Sequence, residues 1–155
     1  KHIYIVGFRS SSFLAGYLNF YFRLIYDNVT QVQGGAAGTF DQLFRVGPGD
    51  VVIAICFPRY SELALKTVQY AKDRGATIIG VTDSEMSPVY QMSSGSLLVR
   101  NEMISFVDSL AAPMSMLNAL ILAAAHKQGT DISATFNELE HVWDRFGIFG
   151  KVEDE

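Results

Sequence analysis

The sequence predicts a doubly wound α/β fold, with a mostly parallel five-stranded sheet flanked by helices. Three observations predict it. Short apolar runs such as "VVIAI" (51–55) alternate with segments of helical spacing. The runs are continuously apolar rather than alternating, which is the pattern of strands covered on both faces. Polar turns follow three of them, "GFRSSS", "CFPRYS" and "TDSEMSP", and the carboxyl ends of such strands are where these sheets hold ligands.

The elements follow in order. Ile3 to Val6 form a buried strand ending in Gly7. Serines 10 to 12 then supply N-cap oxygens to a helix whose apolar positions are Phe13, Leu14, Leu18, Phe22 and Ile25. "VTQVQ" is a weakly signalled second strand. "GGAAGTFDQLFRV" becomes a short helix with Thr39 as a possible cap. "GPGD" is turn chemistry, and Val51 to Ile55 form the third strand. Tyr60 to Arg74 read as a helix with Leu63, Leu65, Val68 and Ala71 turned inward and Gly75 ending it. "ATIIGVT" and "GSLLVR" are the remaining strands. Two helices close the chain, Ile104 to Lys127 and Ile132 to Phe146.

Composition bounds the function. The 155 residues suit a single domain over 1–155, and 49% hydrophobic with 18% charged residues describes a compact protein with a large interior. The formal net charge is −4 and no Lys/Arg block occurs, so the chain lacks the footprint of a domain that grips nucleic acid by itself. One cysteine excludes an internal disulfide and fits a reducing, cytoplasmic setting. The most apolar stretch, 104–125, is broken by Ser105, Asp108, Ser109, Pro113, Ser115 and Asn118, which argues against a membrane span. It suits a buried or interface helix. The chain opens "KHIYIVG" directly on its first strand, and the expectation is that a further domain precedes it.

The three turns, in this order, resemble the sugar isomerase (SIS) domain, a phosphosugar-binding fold of the flavodoxin-like three-layer α/β/α type. The likeness covers residues 3–100. Its first element, a strand followed by Gly-x-Gly-x-Ser and a small residue, is matched by Gly7, Ser11 and Ala15, with Arg9 at the second glycine. Its middle element, Gly-Asp, strand and a Ser-x-Ser-Gly loop, is matched by Gly49, Asp50, the strand and Ser61. Cys56, Pro58 and Arg59 stand where two serines and the glycine are usual. The third element is similar to "GATIIGVTDSEMSP". Within the family, "FPRYS" looks most like the RpiR-type bacterial transcriptional regulators. There an N-terminal helix-turn-helix domain precedes a SIS domain that senses a sugar phosphate. The resemblance thus implies a sugar-phosphate ligand, DNA contact only through a missing N-terminal domain, and a homodimer or higher homo-oligomer.

The candidate ligand residues are Arg9, Ser10, Ser11, Ser12, Arg59, Tyr60, Ser61 and Ser87. A phosphate at a helix N-terminus gains from unpaired N–H groups and the macrodipole, with hydroxyls completing the shell. Ser11 stands at the family's serine, and the alternative for all three serines is capping alone. Arg59 offers a charged fork where serine and glycine contacts are lost; the alternative is that it faces solvent or pairs with Glu62. Arg9 reaches the ligand or lies exposed. Glu62, at the family's glutamate, is the one credible general base if the chain is an isomerase; otherwise it is a first-turn carboxylate facing the macrodipole. "GGAAGT" lacks the lysine of a nucleotide loop and reads as a flexible connection. Cys56 reads as a small buried hydrophobe. His2, His126 and His141 show no metal-ligand spacing, so no metal or cofactor is expected.

Three functions remain open on the sequence. A phosphosugar sensor of a transcriptional regulator is favoured. An aldose–ketose sugar-phosphate isomerase is the second reading, and a ligand-free SIS-like dimerisation module, pairing through the helix Met103 to Ala125, is the third.

Overall fold

The computed structural model describes residues 1–104, 106–129 and 132–149. Within the expected single domain, residues 105, 130, 131 and 150–155 lie outside the described ones. The elements run β1 (Ile3–Val6), α1 (Ser11–Ile25), β2 (Val29–Val32), α2 (Ala36–Gln42), β3 (Val51–Ile55), α3 (Glu62–Asp73), β4 (Thr77–Thr82), α4 (Pro88–Met92), β5 (Gly95–Leu98), β6 (Met103–Ile104), β7 (Val107–Asp108), α5 (Ala111–Gln128) and α6 (Ile132–Phe146). Strands β1 to β5 form one sheet in the order β2-β1-β3-β4-β5, every pair parallel. The five predicted strands are therefore present.

Strands β1 to β4 each feed two cores, which makes the molecule three layers. Ile5, Ile53, Ile55 and Val81 face α1 and α5, meeting Leu14, Leu18, Phe22, Leu117 and Ile121. Tyr4, Val6, Val52, Ala54 and Ile78 face the other way, onto Val68 and Ala71 of α3 and Val89 of α4. Burying a side chain of the size of Leu14 or Leu18 stabilises by about 1.5–3 kcal/mol. These two residues are fully buried, so they fix how α1 lies on the sheet.

Several local expectations change. Phe13 is 72% exposed: the buried stripe is Leu14, Leu18, Phe22 and Ile25, and Phe13 lies about 100° round the helix from Leu14. Ser10 does not cap α1, because its own backbone is already helical and its side chain makes no cap bond. Thr39 is not a cap either; Gly35 occupies that position and Thr39 is buried inside α2. Helix α3 starts at Glu62 rather than Tyr60, and its buried ridge is Ala64, Thr67, Val68 and Ala71, with Leu63 and Leu65 half-buried beside it. Gly75 follows the C-cap Arg74 with φ 85°.

The largest departure is at 103–110. The sequence predicts a helix over 104–127, but an antiparallel ribbon, β6–β7, occupies its beginning. Pro113 sets the limit. It cannot donate to the carbonyl four residues back, so it is tolerated only in a first turn, and α5 begins two residues before it. Pro113, Leu117, Ile121 and Ala125 then repeat every four residues as the buried stripe of α5. No helix among the described residues is long and apolar enough to cross a membrane.

Candidate functional site

In a sheet of this strand order the chain leaves β1 for one side and returns to β3 on the other, so a crevice opens between β1 and β3 at their carboxyl ends. A cavity of about 600 Å³ lies there. Its walls are the β1–α1 turn (Phe8 to Ser11), the β3–α3 loop (Cys56 to Ser61), the first turn of α3, and Asp108 from the ribbon. The N-termini of α1 and α3 both open onto it, each with first-turn N–H groups that have no partner within the helix.

The β1–α1 turn is held tight by Gly7. A Cβ there would lie 2.6 Å from the Ser11 carbonyl oxygen and 3.0 Å from Ala15 Cβ. Gly7, Ser11 and Ala15 are thus one packing unit that brings α1 against the end of β1. Arg9 follows in the left-handed region, φ 57°, and its carbonyl accepts from Ser12 N at 3.0 Å and from Ser12 Oγ at 2.6 Å. Ser11 is buried and faces the cavity. Ser10 faces it too, with its hydroxyl donating to Asp108 Oδ2 at 2.8 Å.

The β3–α3 loop forms another wall of the cavity. Cys56 extends the ladder by donating to Val81 O at 3.0 Å, and Phe57 is buried in the α1 core. Burial pushes the Cys56 thiol up, which suits an inert packed side chain and not a nucleophile. Arg59 takes φ 63°. Tyr60 turns inward and donates to Asp83 Oδ1 at 2.8 Å; burial and then Asp83 push its phenol up to about 12. Ser61 caps α3, its Oγ accepting from Ala64 N at 3.4 Å.

The structure brings Arg9, Ser10, Ser11, Arg59, Tyr60 and Ser61 together around one cavity. It places two of the sequence candidates elsewhere. Ser12 lines a neighbouring cleft of about 330 Å³ with Gln31, Gln33 and Gly34, and its hydroxyl is spent on Arg9 O. Ser87 is buried as the N-cap of α4, accepting from Tyr90 N at 3.1 Å, and lines neither cavity. The third turn reaches the site only through Asp83 and Tyr60. Glu62 borders the cavity, but its side chain is 85% exposed and pairs with Lys66 at 3.3 Å. Asp108 had no signal in the sequence, since it lies in the stretch read as helix. Among the described residues no group of His, Cys, Asp and Glu is placed to hold a metal ion.

A sequence profile of the SIS domain matches residues 1–123, most of the chain. The chain belongs to the SIS domain family. Solved structures agree on the fold. The sugar isomerase domain of an RpiR transcription factor from Sphaerobacter thermophilus superposes with a TM-score of 0.84 at 20% identity, covering 91% of this chain and 79% of that one. Vibrio vulnificus NanR complexed with ManNAc-6P gives 0.78 at 15% identity over 97% of this SIS domain, which spans 57% of the NanR chain. The E. coli CFT073 protein c3406, in complex with a different sugar phosphate, gives 0.74 at 20% identity, covering 91% and 77%. No curated protein matches the chain. SIS domains occur in both regulators and isomerases, and the similar solved structures include a putative sugar-phosphate isomerase from Listeria monocytogenes, with a TM-score of 0.73 at 18% identity, covering 86% of this chain and 73% of that one.

Proposed function

We propose that this SIS domain is the phosphosugar-sensing part of a transcriptional regulator, acting on DNA through another domain. The observation that carries this reading is the cavity between β1 and β3, which is bordered by two helix N-termini, by Ser11 and Ser61, and by the exposed Arg9 and Arg59. Backbone N–H groups, helix dipoles and guanidinium forks are the chemistry that holds a phosphate. The likeness to NanR and c3406, whose structures each hold a sugar phosphate, supports such a ligand. Pairing of two copies belongs to the same reading. Phe13 and Phe20 of α1 and Leu122 of α5 are exposed apolar side chains on two helices that pack together, a surface suited to an oligomer contact.

An isomerase needs a base poised over the bound sugar. Glu62, the residue the family pattern offers, faces solvent and is paired with Lys66, which favours the sensor. A thermal-shift screen against sugar phosphates, amino sugars included, tests the reading, with each dephosphorylated sugar as control. At a concentration 100 times Kd a ligand adds about 2.7 kcal/mol to stability. A rise in Tm that requires the phosphate supports the sensor; no shift from any phosphosugar overturns it. Deuterium incorporation from solvent into a bound sugar phosphate overturns the non-enzymatic half.

A further inference from the structure

Arg9 and Arg59 are, among the described residues, the two non-glycine positions with positive φ, at 57° and 63°. An L-residue in the left-handed region carries a cost of about 1–2 kcal/mol that glycine avoids. Backbone strain of this kind persists where the surrounding structure over-determines it, and it clusters at ligand clamps. Here such strain occurs twice, once in the turn before α1 and once in the loop before α3. Both times the residue is an arginine, and both line the same cavity. Neither guanidinium makes a hydrogen bond or ion pair among the described residues; the ion pair they show is Glu62–Lys66.

One phosphate accounts for one such arrangement. The β3–α3 loop by itself offers a helix N-terminus, the Ser61 hydroxyl and Arg59. The β1–α1 turn offers a second helix N-terminus, Ser11 and Arg9, and Arg9 also borders the smaller cleft beyond. The 600 Å³ volume holds a sugar body between the two. We propose that the ligand of this SIS domain is a sugar monophosphate bearing a second anionic group, a carboxylate or a second phosphate. The phosphate sits at Arg59 and Ser61, and the second anion pairs with Arg9. This rests on the phosphosugar reading of the cavity and narrows it to a class of ligand.

The experiment is isothermal calorimetry on matched sets: hexose 6-phosphates, the corresponding aldonic acid 6-phosphates, and hexose 1,6-bisphosphates. It is run on the unaltered protein, Arg9→Gly and Arg59→Gly. Glycine adopts both φ values without strain, so the turns are kept. The expected result is that a compound with the second anion binds at least tenfold more tightly than its hexose 6-phosphate. Arg9→Gly should erase most of that preference, whereas Arg59→Gly should weaken every phosphate compound. Preference for the acid identifies the second anion as carboxylate, and preference for the bisphosphate identifies it as phosphate. Equal affinity across a matched set, or a preference that survives Arg9→Gly, overturns this proposal and leaves phosphosugar sensing intact. Absence of binding by every phosphate compound overturns both.

Discussion

The Tyr60 hydroxyl donates a 2.8 Å hydrogen bond to Asp83 Oδ1, which ties the β3–α3 loop to the turn after β4. Asp83 also accepts from Thr82 Oγ1 at 3.2 Å. The bond is made one residue beyond Arg59, so it braces the strained turn at Arg59, which borders the cavity. Tyr60→Phe keeps the ring and removes the brace. Loss of one such bond costs about 1 kcal/mol, and at this chain length Tm should fall by roughly 2–4 °C. Affinity for inorganic phosphate should fall with it, although the phenol is committed to Asp83. Unchanged affinity in Tyr60→Phe would show that the loop holds its shape without Asp83.

The same bond sets an alkaline limit. Burial, then the hydrogen bond and charge of Asp83, push the Tyr60 phenol up to about 12 from 10.0. A raised folded pKa contributes stability that is whole below the unfolded value near 10 and is lost as pH rises through the folded one. Stability should therefore decline between pH 10 and about 12, as the phenolate form is disfavoured in the folded protein. Denaturant unfolding followed across that window should show a shallower decline in Tyr60→Phe. An identical slope in the two proteins would assign the decline to other groups.

Gly7 is where the sequence pattern and the geometry coincide most directly. Its Cβ would stand 2.6 Å from a backbone oxygen, which cannot swing aside as a side chain can. Gly7→Ala must push α1 off the end of β1, at a cost of about 1–3 kcal/mol as for other overpacked sites. Chemical denaturation should report that loss. Because Ser11 moves with α1, phosphosugar affinity should drop as well. A stable Gly7→Ala protein with full affinity would mean that the Gly7–Ser11–Ala15 contact is not what sets the turn.

Much of this was legible beforehand, for physical reasons that differ by residue. The central strand was readable because a strand covered on both faces must be apolar at every position, as Val51 to Ile55 are, whereas β2, with Thr30 and Gln31, carries a weaker signal. Gly7 and Ala15 were readable because close packing admits few residue types. The β6–β7 ribbon was hidden, since two-residue strands carry no period, and the apolar residues around it mimic a helix. Asp108 was hidden because it meets Ser10 across 98 residues of chain. Ser87 shows the opposite limit: a serine before Pro88 in a polar turn fits a ligand site and a helix cap equally well, and the backbone makes it a cap. Arg9 and Arg59 lie between these cases. Their mismatch with glycine was visible, but their left-handed φ was not.

Ser61 has two separable jobs in the proposed site, capping α3 and meeting the ligand. Ser61→Ala removes both, and loss of a cap costs about 1 kcal/mol. Ser61→Asp separates them, because aspartate caps as well as serine does yet sets a negative charge in the cavity. Thermal melts should show Ser61→Ala lowered and Ser61→Asp restored. Phosphate binding should be weakened in Ser61→Ala and weakest in Ser61→Asp. Wild-type affinity in Ser61→Asp would place the phosphate away from α3.

Asp108 places a carboxylate beside the very turn that is proposed to receive an anion, with its Oδ2 holding Ser10 at 2.8 Å. Two unit charges about 4 Å apart repel by about 1 kcal/mol in water and about 4 kcal/mol at an effective dielectric of 20. An anion that uses the Ser10 hydroxyl must therefore also displace the carboxylate that already holds it. Asp108→Asn keeps an oxygen acceptor for Ser10 and removes the charge. A sugar monophosphate that bears the second anion should then bind at least about fivefold more tightly, the equivalent of 1 kcal/mol. Inorganic phosphate, held at Arg59 and Ser61, should gain less. Unchanged binding of the doubly anionic compound in Asp108→Asn would mean that its second anion lies beyond the reach of Asp108.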